Sequence, residues 1–135
     1  MSETNLDEID HLLLKWEEVY KKGLLTFWLL LLLHERSDYA YEINDAVREI
    51  SQGTISADSN SIYRALSRFE AMGIVTSELR QSDVGPARKY YALSEKGLAL
   101  LGQFIQHNIL LFGSPAVAKR IRAVLKSAGT KSKEA

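Results

Sequence analysis

The stretch Ile62-Tyr-Arg-Ala-Leu-Ser-Arg-Phe-Glu-Ala-Met-Gly-Ile-Val75 decides the fold. Its apolar residues recur every three or four positions and therefore share one face of a helix, while polar and basic residues occupy the other face. We predict this helix over residues 59–72, because Asp58 or Ser59 can cap its beginning. Gly73 can end it by adopting the left-handed conformation that follows many helices.

Two segments that favour β-strands follow this helix. Residues 74–80 and 88–93 are rich in β-branched or aromatic side chains, and the loop between them contains Gly85-Pro86, a strong chain-reversal signal. These features predict a two-stranded hairpin. Tyr90 and Tyr91 point to opposite faces of its second strand, so at most one of them can lie wholly in the core.

Further helices are predicted on both sides of this centre. A heptad-like apolar stripe runs from near the N-terminus past Gly23, which indicates either one long helix or two helices joined at Gly23. Residues 39–50 favour a second helix, and Thr54-Ile55 favours a short strand. After the hairpin, residues 94–112 favour a long helix, and a shorter amphipathic helix follows Pro115.

The predicted order of elements is helix, helix, short strand, helix, hairpin and long helix. This order predicts a mainly α fold with a small β-hairpin, namely a winged helix-turn-helix with additional helices at both ends. We divide the chain into an N-terminal helical extension (1–22), the winged helix-turn-helix (23–93), C-terminal dimerisation helices (94–128) and a disordered tail (129–135).

Two motifs resemble the PadR family of transcriptional regulators. Residues 62–75 are similar to that family's L-Y-x-A-L-x-x-L-E-x-x-G-L-V, and Gly85-Pro-Ala-Arg-Lys-Tyr-Tyr-Ala-Leu-Ser-Glu-Lys-Gly97 is similar to its G-P-x-R-K-Y-Y-x-L-T-x-x-G. Tyr41-Glu42-Ile43 also resembles the family's G-Y-E-L/I. The resemblance covers about residues 23–101 and implies a DNA-binding homodimer, by default a repressor. The short C-terminal region resembles the branch of the family that dimerises through its end helices.

The charges are distributed unevenly along a chain whose formal net charge is zero. Residues 1–58 carry twelve acidic and five basic side chains, and residues 59–135 carry five acidic and twelve basic ones. This asymmetry indicates that the second half faces a polyanion, although a chance distribution over a solvated surface stays an alternative. The absence of cysteine excludes disulfides and thiolate metal sites, and no cofactor is expected. The acidic N-terminus and short apolar runs predict a cytoplasmic protein without a membrane span.

The polar face of helix 59–72 suits the major groove of double-stranded DNA. Asparagine can pair with adenine and arginine with guanine, so we predict that Asn60 and Arg64 reach base edges and that Arg68 meets a phosphate. The wing, residues 80–89, supplies cations for the DNA backbone or the minor groove. A solvated helix face and hairpin are the alternative. The predicted DNA-binding residues are Ser59, Asn60, Ser61, Tyr63, Arg64, Ser67, Arg68, Arg80, Arg88 and Lys89. Within this set, the Tyr63 side chain either reaches a phosphate or packs against the wing.

Apolar residues in both end segments predict a homodimer, because a small core cannot cover them all. The predicted dimerisation residues are Leu6, Ile9, Leu13, Trp16, Tyr20, Leu98, Leu101, Ile105 and Phe112. In some members of the family that the sequence resembles, flat aromatic ligands lie between the subunits. The resemblance therefore implies Trp16, Trp28 and Phe104 as candidates for holding a small aromatic effector, with packing in the core as the alternative.

No pattern typical of an enzyme is present in the sequence. His11, His34 and His107 lie on separate predicted elements without metal-ligand spacing, and no P-loop, G-x-G-x-x-G or G-x-S-x-G occurs. We therefore predict that the chain is not an enzyme. Two other functions stay open: a weakly specific architectural DNA-binding protein, and a winged-helix module that binds another protein.

Overall fold

A computed structural model describes the backbone of residues 4–129 and the side chains of residues 7–129. The predicted tail from residue 130 onward and the Leu6 side chain lie outside the described residues. The described elements are α1 (Thr4–Glu35), β1 (Asp38–Tyr39), α2 (Ala40–Ile50), α3 (Ser59–Ala71), β2 (Val75–Arg80), β3 (Arg88–Leu93), α4 (Glu95–Phe104) and α5 (Pro115–Ser127). The mainly helical architecture with a small sheet agrees with the predicted fold class.

The long N-terminal helix is continuous. α1 contains 32 residues and passes through Gly23 without a break, so the first of the two alternatives is correct. Its C-terminal half enters the core, where Leu29 is fully buried and Leu33 is 3 % exposed. Its N-terminal half is mostly exposed. The predicted domain boundary after residue 22 thus falls inside one helix.

Two predictions about secondary structure were wrong. The short strand is not Thr54-Ile55 but β1, which pairs with β3 at the edge of a sheet of order β1-β3-β2. Ile55 lies in the loop before α3, and its β-branched side chain is explained by burial in the core rather than by strand formation. The helix predicted to reach Phe112 is α-helical only to Phe104. A π-helical turn and a 3₁₀ turn then continue to Gly113.

The chain divides after Leu98 into two compact units. In the first unit the buried side chains come from α1, α2, α3 and the sheet. The most deeply buried ones are Leu29, Leu30, Ile43, Val47, Ile62, Leu66, Val75 and Tyr91. In the second unit, α5 is amphipathic, and its apolar residues Ile121 and Val124 are 42 % and 66 % exposed. In the described part of the chain, no helix is long and apolar enough to cross a membrane.

The register of the hairpin gives its two faces different surroundings. Ser77 lies opposite Tyr91 and Leu79 opposite Lys89, so these four side chains share one face. That face is directed toward α3, and Tyr91 is only 1 % exposed on it. Tyr90 lies on the outer face and is half-buried, which confirms that only one of the two tyrosines is a core residue.

A tight junction joins the end of α3 to the beginning of α4. Gly73 has a φ of +78°, as predicted for the residue that ends α3. The Ser94 hydroxyl donates a hydrogen bond to the Gly73 carbonyl oxygen at 2.6 Å and accepts one from the Gly97 amide at 3.0 Å. A Cβ atom on Gly97 would lie 2.1 Å from the Ile74 carbonyl oxygen, so only glycine fits at this approach.

We expect Gly97→Ala to lower the free energy of unfolding by about 1–3 kcal/mol, because an added methyl group must push α4 away from the backbone of Ile74. Urea unfolding monitored by circular dichroism measures this change. Gly102→Ala in the same helix is the matched control, since nothing lies within 4 Å of its added Cβ. The control should gain about 0.5–1 kcal/mol from helix propensity. A Gly97→Ala variant as stable as the wild type would contradict the close approach.

Candidate nucleic-acid interface

The first turn of α3 is held by a side-chain cap. The Asp58 carboxylate accepts a hydrogen bond from the Ser61 backbone amide at 2.7 Å, which confirms Asp58 as one of the two predicted caps. This backbone hydrogen bond is the main reason that the pKa of the Asp58 carboxyl lies below its usual range. The cap fixes the direction in which the helix begins, and therefore the positions of Asn60 and Ser61.

The outward face of α3 is polar and accessible. Ser59, Asn60 and Arg64 are exposed, whereas the opposite face buries Ile62 and Leu66 completely. The Arg64 guanidinium donates a hydrogen bond to the Ser61 hydroxyl at 3.4 Å, so these two predicted DNA-binding residues lie together. Two further members of the predicted set, Tyr63 and Arg68, are also exposed, and Ser67 is partly exposed.

The three wing cations do not form one cluster. Arg80 and Arg88 lie opposite each other in the hairpin and share its outer face, whereas Lys89 is one residue further along β3 and lies on the face toward α3. The sequence alone predicts all three as equivalent DNA contacts. The strand alternation, already visible in the sequence, separates them.

Aromatic rings support the two arginines on the outer face. The Arg88 guanidinium lies 4.5 Å from the centre of the Tyr39 ring and donates a hydrogen bond to the Tyr39 hydroxyl at 3.1 Å. The Arg80 guanidinium lies 4.3 Å from the centre of the Tyr90 ring, and the two rings meet edge to face at 5.4 Å. Burial is the main reason that the pKa of the Tyr39 hydroxyl is raised. This layered arrangement fixes both guanidinium groups.

Carboxylates accompany two of the three wing cations. Glu78 accepts an ion-paired hydrogen bond from Arg80 at 2.7 Å. On the other face, the Glu70 carboxylate lies 3.0 Å from the Lys89 ammonium and also accepts a hydrogen bond from the Ser77 hydroxyl. The Ser77 hydrogen bond, followed by that from Lys89, lowers the pKa of Glu70, and the bond to Glu70 raises the pKa of Lys89.

Three residues of this surface, Tyr39, Glu70 and Glu78, are not among those predicted from the sequence. The Tyr39 side chain contacts Arg88 although the two residues are far apart in the sequence, and no local pattern predicts that contact. Glu70 was part of the stretch that decides the fold, but it received no role there. Glu70 lies at the edge of the apolar face of α3, and its contact with Lys89 depends on how α3 and β3 are placed, which no local sequence pattern gives. Glu78 shares its strand face with Arg80, and the period of two predicts that pairing.

A sequence model of the transcriptional regulator PadR-like family matches residues 29–103, more than half of the chain. The chain belongs to this PadR-like family. The match covers α2, α3 and the wing, and it begins at residue 29, inside α1. It confirms the resemblance that the two motifs indicated, and it agrees with the prediction that the chain is not an enzyme.

Solved structures of PadR-like proteins share this fold. A PadR family transcriptional regulator from Eggerthella lenta is 24% identical over 89% of this chain and 97% of that chain, with a TM-score of 0.63. A PadR-like transcriptional regulator from Bacillus cereus is 29% identical over 77% and 93%, with a TM-score of 0.59. Bacillus subtilis PadR in complex with operator DNA is 23% identical over 61% and 46%, with a TM-score of 0.57. These structural similarities confirm the predicted winged helix-turn-helix fold. No curated protein matches the chain significantly.

Most of the residues predicted to form a dimer are exposed in this PadR-like chain. In α1 the exposed fractions are 45% for Ile9, 49% for Leu13, 76% for Trp16 and 56% for Tyr20. In the C-terminal region they are 49% for Leu98 and 55% for Phe112, and Ile105 is half-buried. Leu101 differs, because it is 4% exposed in the single chain and so offers no free apolar surface.

Two of the three residues predicted to hold an effector line one cavity. Trp16 and Trp28 project from α1 into a cavity of about 430 Å³ that is closed on one side by Thr54 and Ile55. The other lining residues are Leu13, Glu17, Tyr20, Lys21 and Leu24. Phe104 belongs to the second unit and is not among the residues that line this cavity.

Proposed function

We propose that this PadR-like protein is a sequence-specific repressor of transcription that acts in the cytoplasm. In our proposal it binds an inverted-repeat operator as a homodimer, with one α3 in the major groove of each half-site and the wing on the backbone or in the minor groove. The observation that carries the proposal is the exposed polar face of α3 beside a hairpin that bears three cations. The complex of Bacillus subtilis PadR with operator DNA supports it, since that protein shares the fold.

The geometry of α3 suits base recognition by its first two turns. Asn60 and Arg64 lie on the outward face, and each can form two parallel hydrogen bonds with one base edge. Arg68 lies one turn after Arg64, where a helix that leaves the groove comes close to a phosphate. We therefore assign sequence recognition to the beginning of α3 and sequence-independent affinity to its later turns.

The wing contributes cations of unequal availability. Within the described residues, no carboxylate lies within ion-pair distance of Arg88, which is fixed only by the Tyr39 ring and hydroxyl. Arg80 and Lys89 each have a carboxylate beside them. Arg88 is therefore our first candidate for a phosphate contact, because no protein anion has to be displaced from it.

The exposed apolar residues of α1 support the homodimer. The apolar stripe of α1 includes Leu13, Trp16 and Tyr20, which are 49%, 76% and 56% exposed in the single chain. Burial of such residues is worth about 1.5–3 kcal/mol each, so a second copy that covers the stripe stabilises the protein. We propose that residues 1–22 and 94–128 form the interface, which would hold two copies of α3 at a fixed separation.

Selection of bound duplexes from a random pool tests the proposed function. A regulator should select two related half-sites at constant spacing and prefer them about 10³-fold or more over random duplex. An architectural protein would bind all duplexes with similar affinity. A module that binds another protein would show no salt-dependent binding to duplex DNA, and either outcome would contradict the proposal.

Arg64→Ala and Arg68→Ala should have different effects on DNA binding. We expect Arg64→Ala to weaken operator binding by about 1–3 kcal/mol and random-duplex binding much less, because a base contact carries sequence information. Arg68→Ala should weaken both by a similar factor, as loss of a phosphate contact does. Fluorescence anisotropy with both duplexes measures the change. Equal losses in the Arg64→Ala variant would show that this side chain does not recognise a base.

Trp16→Glu should convert the dimer into a folded monomer. The added charge would be buried in the proposed interface, whereas in the single chain the side chain is 76% exposed. Sedimentation velocity at micromolar concentration measures the change in mass, and the variant should also lose tight operator binding. Lys15→Glu, at an exposed position about 100° around α1 from Trp16 and away from the stripe, is the control and should remain dimeric. A dimeric Trp16→Glu variant, or a wild-type protein that is monomeric, would rule out this interface.

We also propose that the cavity beside Trp16 and Trp28 binds a planar aromatic effector. Its volume of about 430 Å³ and its two indole rings are suited to a small flat ligand. A screen of planar aromatic compounds should find one that changes the tryptophan fluorescence and the affinity for the operator together. Trp28→Leu should lower the affinity for that ligand at least tenfold, because the ligand can no longer stack on the Trp28 ring. If no compound changes both signals, the cavity is not an effector site.

A further inference from the structure

Glu70 occupies an unusual position for an acidic residue beside a proposed DNA-binding surface. It lies in the last turn of α3, next to the apolar face, and its side chain is about one third exposed. Both of its oxygens have partners on the strands of the hairpin. One faces the Lys89 ammonium at 3.0 Å, and the other accepts the hydrogen bond from Ser77. Because Ser77 and Lys89 belong to different strands, the carboxylate is held in place from two directions.

Lys89 is held equally well. Besides the contact with Glu70, its ammonium group lies 5.6 Å from the centre of the buried Tyr91 ring. The side chain is 37% exposed, so it remains within reach of an anion from solvent. A phosphate that approaches Lys89 meets a cation whose charge is already compensated, and it must compete with a carboxylate that the protein keeps at hydrogen-bonding distance.

This competition has a measurable electrostatic consequence. A lysine that replaces condensed counterions on DNA contributes about 0.9 to the slope of log K against log[salt]. A lysine that retains its own carboxylate releases few counterions and contributes little to that slope. The position of Glu70 therefore sets how much sequence-independent affinity the wing adds.

We propose that Glu70 is a positioning residue that limits the affinity of the wing for DNA of any sequence by holding Lys89 as an ion pair. This inference rests on the proposed DNA-binding function. It assigns Glu70 an effect opposite to that of a simple brace between α3 and the wing. Removal of the charge from a brace weakens DNA binding, whereas removal of the charge from a competitor strengthens it.

Glu70→Gln tests the inference, because glutamine keeps the shape and can still accept the hydrogen bond from Ser77. We expect the affinity for operator and for random duplex to rise by the same factor, about three- to tenfold. Both salt slopes should become steeper by about 0.9 per protomer. Fluorescence anisotropy from low to moderate salt provides both quantities, and thermal unfolding checks that the variant is folded.

Two further variants separate this effect from a general change of charge. Glu49→Gln removes one exposed carboxylate from α2 and should leave both slopes unchanged. Glu70→Gln combined with Lys89→Met should bind like Lys89→Met alone, since the effect of Glu70 acts through Lys89. Lys89→Met removes the charge but keeps an unbranched side chain of similar length, and on its own it should change the slope by much less than 0.9 per protomer.

The outcomes divide cleanly between the inference and the proposed function. Three outcomes would overturn the inference while the function stands. The first is that Glu70→Gln leaves DNA affinity unchanged or weakens it. The others are that Glu70→Gln raises the affinity equally in the Lys89→Met background, or that Glu49→Gln raises it equally. If Glu70→Gln does not fold, Lys89→Met alone tests the inference. A decrease of about 0.9 per protomer in the slope of log K against log[salt] would show that Lys89 already binds phosphate in the wild type, which would overturn the inference. A wild-type protein that binds no duplex would overturn the function and the inference together.

Discussion

The rest of the structure depends on the close contact between the first turn of α4 and the start of β2. Ser94 bonds to the carbonyl of Gly73, and the missing side chain of Gly97 allows the Ile74 carbonyl to approach. This contact determines where the hairpin leaves α3. Because side chains alternate along a strand, it also determines which wing residues face the helix and which face away. The electrostatic character of the wing is therefore set by a packing constraint that carries no charge itself.

The separation of the wing cations follows from that constraint and gives each of them a different environment. Arg88 and Arg80 stack on Tyr39 and Tyr90, where the rings fix the guanidinium groups without compensating their charge. Lys89 meets a carboxylate on α3 instead. A residue count would describe three equivalent cations, but the structure shows one without a carboxylate partner within the described residues and two with one. Such differences affect counterion release directly, and hence the salt dependence of any complex with DNA.

Much of the fold could be predicted from the sequence because its main elements have strong local signals. α3 has an amphipathic period, a capping aspartate and a terminal glycine, and the hairpin has alternating strands around Gly85-Pro86. β1 could not be found, since two residues are too few to show a period and the strand exists only through pairing with β3. The end of α4 was misplaced because the apolar pattern continues through the π-helical turn. The Glu70–Lys89 pair was out of reach for another reason: it joins a helix and a strand whose relative placement no local pattern contains.

The overall neutrality of the chain agrees with a surface on which several cations are compensated. The basic second half would, without internal partners, attract any duplex strongly, and the attraction would carry no sequence information. Pairing Lys89 with Glu70 and Arg80 with Glu78 removes part of this attraction while leaving Arg64 exposed on α3. In the proposed complex, hydrogen bonds to base edges then supply a larger share of the binding free energy, and a mismatched site loses a larger share of it. A regulator built in this way limits its occupancy of random DNA with carboxylates on α3 and β2 that pair with the wing cations, rather than by reducing the number of its cations.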